Sequence, residues 1–309
     1  MDLRVHHRTT YRYGSPVDLA QHVLHLSPPD TPHQRVLSHA LRIDPPPASQ
    51  FDHRDAFGNR RVHVALQSPH DTLTVDADSR VLTEPPGPLP ATGPVADVPW
   101  ELARDRLCYQ AGAPHHEAAG FVFASPYVPR DDALAAFARG AISPGQPLLA
   151  AAQALMRAIH DGMSFDPSST GVNTPVLEVL RLRRGVCQDF AHLMIGALRS
   201  LGLPARYVSG YLLTEPPPGQ ARLVGADASH AWVAVAVPDG AGGSVWFDFD
   251  PTNDRCGAGS PGEDYITLAT GRDFGDVSPL RGVIQGGAQH TLSVAVTVAP
   301  TDAFPADAA

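Results

Sequence analysis

The stretch Arg184-Gly185-Val186-Cys187-Gln188-Asp189-Phe190-Ala191-His192 runs into a helical pattern. Phe190, Leu193, Met194, Ala197, Leu198 and Leu201 fall on one stripe of it, and Gly202 and then Pro204 stop it. Cys187 therefore sits in the opening turn of an amphipathic helix. Unpaired N–H groups and the positive end of the helix dipole favour a thiolate at such a position, so the expected thiol pKa is low. A cysteine is also among the most often buried residue types, and most cysteines are inert small hydrophobes. Position alone does not make a nucleophile.

Upstream of this helix, Leu149, Ala152, Leu155, Met156 and Ile159 recur at three- and four-residue steps between Gln146 and Gly162, giving a second helix with one buried face. Short helical patterns precede it near 99–106 and 131–140. Downstream come strand-like segments at Ala205–Leu213, Ala231–Val237, Val245–Asp250, Tyr265–Ala269 and Thr291–Val298. Helices followed by a run of strands predict an α+β domain.

From Val5 to about Glu84 the period is two, with proline and glycine breaks at Asp44-Pro45-Pro46-Pro47 and Phe57-Gly58-Asn59. That is the pattern of a small antiparallel β-domain. The proline-rich run Pro85-Pro86-Gly87-Pro88-Leu89-Pro90 reads as a linker. The expected organisation is an N-terminal β-domain over 1–85, a linker with short helices over 86–140, a core over 141–300 and a loose tail over 301–309.

Composition narrows the function. The 309 residues suffice for about two domains. With 43% hydrophobic and 18% charged residues, and no apolar run of membrane-spanning length, no membrane association is expected. The first residues lack a basic stretch and apolar block, so the expected compartment is the cytoplasm. The formal charge of -9, with no basic cluster beyond Arg181, Arg183 and Arg184, argues against a nucleic-acid partner. Cys108, Cys187 and Cys256 are odd in number and far apart, which disfavours a disulfide framework and a thiolate zinc site. Fifteen histidines raise the question of metal. The pairs His6-His7 and His115-His116 would point apart on a strand and there is no H-E-x-x-H, so neither metal nor cofactor is expected.

Two further residues join Cys187. His230 opens the strand Ser229-His230-Ala231-Trp232-Val233, and Asp250 closes the strand Val245-Trp246-Phe247-Asp248-Phe249-Asp250. Alternation puts Trp246, Asp248 and Asp250 on one face, with Phe247 and Phe249 toward the core. A carboxylate at a strand end can take one imidazole N–H and turn the other nitrogen to a sulfur. Asp250 serves equally well as the start of an Asp-Pro-Thr turn, and Asp248 is a second candidate for the orienting carboxylate. A helix-start cysteine, a strand-start histidine and a strand-end aspartate are the parts of a nucleophile, base and orienter.

Four ordered motifs, Gly185-Val186-Cys187-Gln188-Asp189-Phe190-Ala191-His192, Ala205-Arg206-Tyr207-Val208-Ser209-Gly210-Tyr211, Ala228-Ser229-His230-Ala231-Trp232 and Asp250-Pro251-Thr252-Asn253, resemble the bacterial transglutaminase-like superfamily. Gly271-Arg272-Asp273-Phe274-Gly275-Asp276-Val277-Ser278-Pro279-Leu280-Arg281-Gly282 resembles a hallmark of one bacterial branch, and the N-terminal β-region resembles the domain that precedes the core there. The resemblance implies a β-sandwich-like N-terminal domain followed by a papain-like core of helices packed on an antiparallel sheet. It also implies a triad of Cys187, His230 and Asp250. Where relatives often carry an acidic residue after His-Ala-Trp-Val, this chain has Ala234. The activity implied is thiol acyl transfer on protein or peptide amides through a cysteine thioester, with hydrolysis by a cysteine peptidase or amidase ahead of glutamine–lysine cross-linking. A protein-binding module on the same scaffold is the alternative from another class. Tyr211, Trp232 and Gln188 are candidates for the substrate cleft, although strand aromatics are more often core. Arg272 and Asp273 either line the site or brace a loop.

Overall fold

The computed structural model describes residues 1–109, 111–112, 116–214 and 229–305. Ala228, His115 and the last four tail residues, named above, lie outside the described residues. The N-terminal unit comprises β1 (Asp2–Leu24), β2 (Gln34–Asp44), β3 (Ser49–Arg54), β4 (Arg60–Leu66) and β5 (His70–Thr83). After the linker come α1 (Trp100–Leu107), α2 (Asp132–Ala141), α3 (Leu148–Gly162), β6 (Ser164–Phe165), α4 (Val176–Leu182), β7 (Arg184–Gly185) and α5 (Cys187–Ser200). The second sheet follows with β8 (Ala205–Leu212), β9 (Ser229–Pro238), β10 (Ser244–Asp250), β11 (Arg255–Ala258) and β12 (Tyr265–Gly271). The chain closes with α6 (Phe274–Val277), β13 (Leu280–Gly286) and β14 (His290–Pro300). The fold is α+β, with an antiparallel curled sheet first and a helix-backed antiparallel sheet second.

The 23-residue β1 is the spine of the first sheet. Its first half pairs with β5 and β14, its second half with β4 and β13, and the register breaks between Arg12 and Val17. One strand thus serves both halves of a seven-stranded sheet that curls on itself. Alternation supplies the core, with Leu3, Val5, Val17, Ala20 and Leu24 buried on β1 alone.

The second sheet has the order β11-β10-β9-β8-β12. On one of its faces Tyr207, Val233, Val235, Phe247 and Phe249 pack with the apolar stripes of α3 and α5, as the alternation of β10 requires. α5 is enclosed by this face and by α2, α3 and α4, which fixes the position of Cys187 at its first turn.

Two boundaries differ from expectation. The predicted strand at 291–298 belongs to β14, and β14 and β13 join the first sheet rather than the core. Period-two patterning identifies a strand and its buried face without naming its partner, and β1 is long enough to leave edges for both. Residues 301–305, expected in a loose tail, are docked: Thr301 Oγ1 donates to Asp2 Oδ1 at 2.7 Å, and the Arg4 guanidinium lies 4.6 Å from the Phe304 ring centre. The proline-rich run at 85–90, read as a linker, has no regular helix or strand. No helix among the described residues is long and apolar enough to cross a membrane.

The two sheets share a packed boundary. Tyr211, Ile266 and Leu268 enter the apolar core of the N-terminal unit. Two buried amides reach across in turn. Gln34 bonds both the N–H and the C=O of Thr267, at 2.8 and 2.9 Å, and Asn59 does the same to Thr270, at 2.8 and 2.7 Å.

Candidate active site

Local chemistry shapes the start of α5. Asp189 lies in its first turn and its carboxylate folds back to accept the Val186 N–H at 2.8 Å, satisfying one of the donors a helix start leaves open. The same oxygen accepts the Thr170 hydroxyl at 2.6 Å, which ties the loop before α4 to the helix. Residue 185 must be glycine for this return, because a Cβ there would stand 2.6 Å from the Asp189 carboxylate. Cys187 is left half-buried at the first helical residue.

His230 stands at the start of β9 and Asp250 at the end of β10, and the antiparallel pairing of these strands brings those two ends together. The His230 Nε2 lies 2.7 Å from Asp250 Oδ2, which leaves Nδ1 for the sulfur. The Cys187 side chain lies near enough to the ring to raise its pKa. Burial alone would lower the His230 pKa. The hydrogen bonds with Asp250 and Cys187, and their charges, outweigh it and push the value up to about 10. Asp250 shows the reverse balance: burial would raise its pKa, but its bonds with His230, Asn253 and Tyr265 hold it below the ordinary carboxylate value.

Asp250 meets both of its sequence-level readings at once. Its Oδ1 accepts the Thr252 N–H at 2.8 Å, as a turn-starting aspartate does, while Oδ2 holds the imidazole. Two residues missed as site members complete it. Asn253 Nδ2 donates to Oδ2 at 2.7 Å and lies 3.4 Å from His230 Nε2, and the Tyr265 hydroxyl donates to Oδ2 at 2.7 Å. Asn253 stood in the quoted Asp-Pro-Thr-Asn run. Tyr265 carried no local signal, since it arrives from β12.

The other candidates fall differently. Asp248 does not orient the histidine: its Oδ1 accepts the Trp232 Nε1–H at 2.8 Å, and burial holds its pKa up at about 6 against the pull of Arg206 and this indole bond. Trp232 is fully buried, with its ring behind His230 at 6.1 Å, so it supports the imidazole rather than forming a cleft wall. Gly210 makes room for it, since a Cβ there would meet the indole at 2.5 Å. Tyr211 is not a cleft residue either. It is buried toward the N-terminal unit, with its hydroxyl 3.0 Å from His7 Nδ1, because its stretch of β8 packs on the first sheet. Gln188 stays half-buried beside Cys187, its amide donating to the Val172 carbonyl at 3.0 Å. Arg272 pairs with Asp276 at 2.9 Å, and Asp273 accepts the Tyr127 and Gly275 N–H groups, so this pair braces the loop. Among the described residues no group of three His, Cys, Asp or Glu side chains is arranged to hold a metal ion.

Residues 3–82 match the bacterial transglutaminase-like N-terminal region, and residues 135–251 match the transglutaminase-like superfamily. An uncharacterised protein of Mycobacterium tuberculosis is 40% identical over 299 residues, covering 96% of this chain and 92% of its own. The chain belongs to the bacterial transglutaminase-like family. A second relative of this transglutaminase-like protein, uncharacterised and from Mycobacterium leprae, is 33% identical over 301 residues, covering 96% of this chain and 98% of its own. A protein-glutamine gamma-glutamyltransferase of Pseudomonas aeruginosa is 35% identical over 127 residues, or 40% of this chain and 18% of its own. Among solved structures, a candidate cysteine protease from Cytophaga hutchinsonii superposes with a TM-score of 0.69 at 21% identity, over 98% of this chain and 92% of its own. That likeness covers both units of the fold.

Proposed function

We propose that this transglutaminase-like protein is a thiol-nucleophile acyl-transfer enzyme that hydrolyses peptide amide bonds through a thioester on Cys187. The observation that carries the reading is the imidazole of His230 held between the Asp250 carboxylate and the Cys187 side chain. A ring whose pKa is pushed up to about 10 carries a proton at neutral pH, beside the sulfur. It is therefore an acid ready for a leaving group.

The sulfur attacks the amide carbonyl carbon, and the carbonyl electron pair moves to oxygen. The Cys187 N–H, at the open start of α5, is placed to donate to that oxyanion. When the pair returns, the C–N bond breaks and His230 gives its proton to the departing amine. Water then attacks the thioester while His230 takes its proton, the C–S bond breaks, and the acid leaves with Cys187 restored. Asp250 stabilises the charged imidazole at each stage and fixes its tautomer.

A primary amine in place of water turns the same thioester into a cross-link, a reading favoured by the similarity to the Pseudomonas aeruginosa gamma-glutamyltransferase. One incubation separates the two. With a glutamine-containing peptide and a fluorescent primary amine, shortened peptides are expected, and both product formation and iodoacetamide labelling at mildly acidic pH should disappear in Cys187→Ala. Amine incorporation without cleavage would replace hydrolysis by transfer. Labelling that prefers Cys108 or Cys256 would remove the enzyme reading and leave a binding module.

A further inference from the structure

On the face of the second sheet away from α5, Arg206 of β8, Ala234 of β9 and Asp248 of β10 form one cross-strand row, set by the registers Arg206↔Ala234 and Asp248↔Ala234. The small Ala234 lets the Arg206 side chain lie across the sheet, where its guanidinium sits 4.1 Å over the Trp246 ring. The guanidinium makes no ion pair with Asp248, and its buried Nε has no acceptor among the described residues. Asp248 gives one oxygen to Trp232, and the other has no hydrogen-bond partner among the described residues. Opposed charges thus stand on one wall, close enough to act on each other and not joined.

This wall closes a cavity of about 820 Å³ whose opposite side is the N-terminal unit, through Phe57 and Asn59, and the proline-rich linker, through Pro90 and Pro94. Its size falls in the range of small-molecule sites, which pair apolar walls with a few convergent polar groups. It is separate from Cys187, which is not part of its lining. The fold makes it from three parts, so it exists only when the N-terminal unit is seated on the core.

We propose that this interdomain cavity binds a short apolar peptide with free termini, its carboxylate on Arg206, its ammonium on Asp248 and its side chains against Trp246 and Phe57. A carboxylate supplies the acceptor that the guanidinium lacks, and the fork of an arginine suits it. An ammonium completes the carboxyl that burial now holds up at about 6. Glu117 also acts on Arg206, and a ligand carrying both charges leaves the net charge of the wall unchanged.

The test uses the full-length Cys187→Ala protein, so that no thioester chemistry consumes the probe and the outcome is independent of the proposed activity. Phenylalanyl-leucine is titrated by calorimetry, with Trp246 reporting by fluorescence. Saturable binding is expected. Acetylating the amine or amidating the carboxylate should each weaken it by about tenfold or more, the loss of one charge-assisted contact. Arg206→Met should abolish the preference for a free carboxylate and Asp248→Asn the preference for a free amine, the latter keeping an acceptor for the Trp232 indole. Equal binding of free and doubly blocked peptide overturns the proposal, as does binding indifferent to Arg206→Met or no saturable binding at millimolar peptide. The blocked-peptide series needs no change at Arg206 and decides the matter even if that variant fails to fold.

Discussion

Asp250 receives four donors on two oxygens: the imidazole, Asn253, the Tyr265 hydroxyl and the Thr252 N–H. A buried carboxylate so supplied stays ionised, and an ionised carboxylate keeps His230 charged. Folded His230 titrates near 10 against an ordinary 6.5, so its charged form contributes stability in full below about 6.5 and loses that contribution as the pH rises through about 10. Asp250→Asn removes the anchor. Its stability deficit, read by urea unfolding, should be largest near pH 6 and shrink between about pH 6.5 and 10, and a deficit flat across that window would show that His230 is neutral. Iodoacetamide alkylation of Cys187 near pH 8, where an imidazole at its ordinary pKa is uncharged, should slow in the same variant because the cation beside the sulfur is lost. The Cys-His-Asp grouping was legible because each member sits at a helix or strand end within a quoted motif. Tyr211 and Trp232 were not, since an aromatic on a strand says nothing about which neighbour covers its face.

At the scale of elements, the start of α5 depends on Asp189 more than on any apolar contact of Cys187. The carboxylate bridges the helix start and the loop before α4, so its loss frees the Val186 N–H and the Thr170 hydroxyl together. Asp189→Ala should cost about 2 kcal/mol, in the range of a helix cap and a buried hydrogen bond. Thr170→Val, which removes one partner, should cost about half as much. Chemical denaturation gives both values, and amide exchange at Val186 should accelerate in Asp189→Ala. Unchanged exchange there would mean that the helix start is held by α2 and α4 packing instead. The helical stripe of α3 was readable because its burial repeats with the helical period, whereas α5 and β9 were readable as apolar segments, burial running almost unbroken along both. α4 was not read from the sequence: Val176–Leu182 is only seven residues long, too short for its period to register.

The whole molecule is tied together by chain order as well as packing. β1 precedes the core and β13 and β14 follow it, yet all three pair in one sheet, so the core is inserted within that sheet. Sequence patterning put a boundary at the proline-rich linker and assigned the last strands to the core, because pairing over nearly the full chain length leaves no local trace. The boundary they enclose is apolar, with Ile266 fully buried among N-terminal side chains. It is also specific, since Gln34 and Asn59 pair with the β12 backbone as a neighbouring strand would. The two units are therefore expected to unfold together. Ile266→Ala should lower stability by about 2–5 kcal/mol, the usual cost of emptying a filled core site. Tryptophan fluorescence reports the core side, where Trp100, Trp232 and Trp246 all lie, and exchange of β5 amides reports the N-terminal side. A single transition seen by both probes, shifted equally by Ile266→Ala, follows from a shared core. If β5 amides keep their protection after the tryptophan signal is lost, each sheet holds its own core, and the Gln34 and Asn59 bridges align two independent domains without coupling their stability.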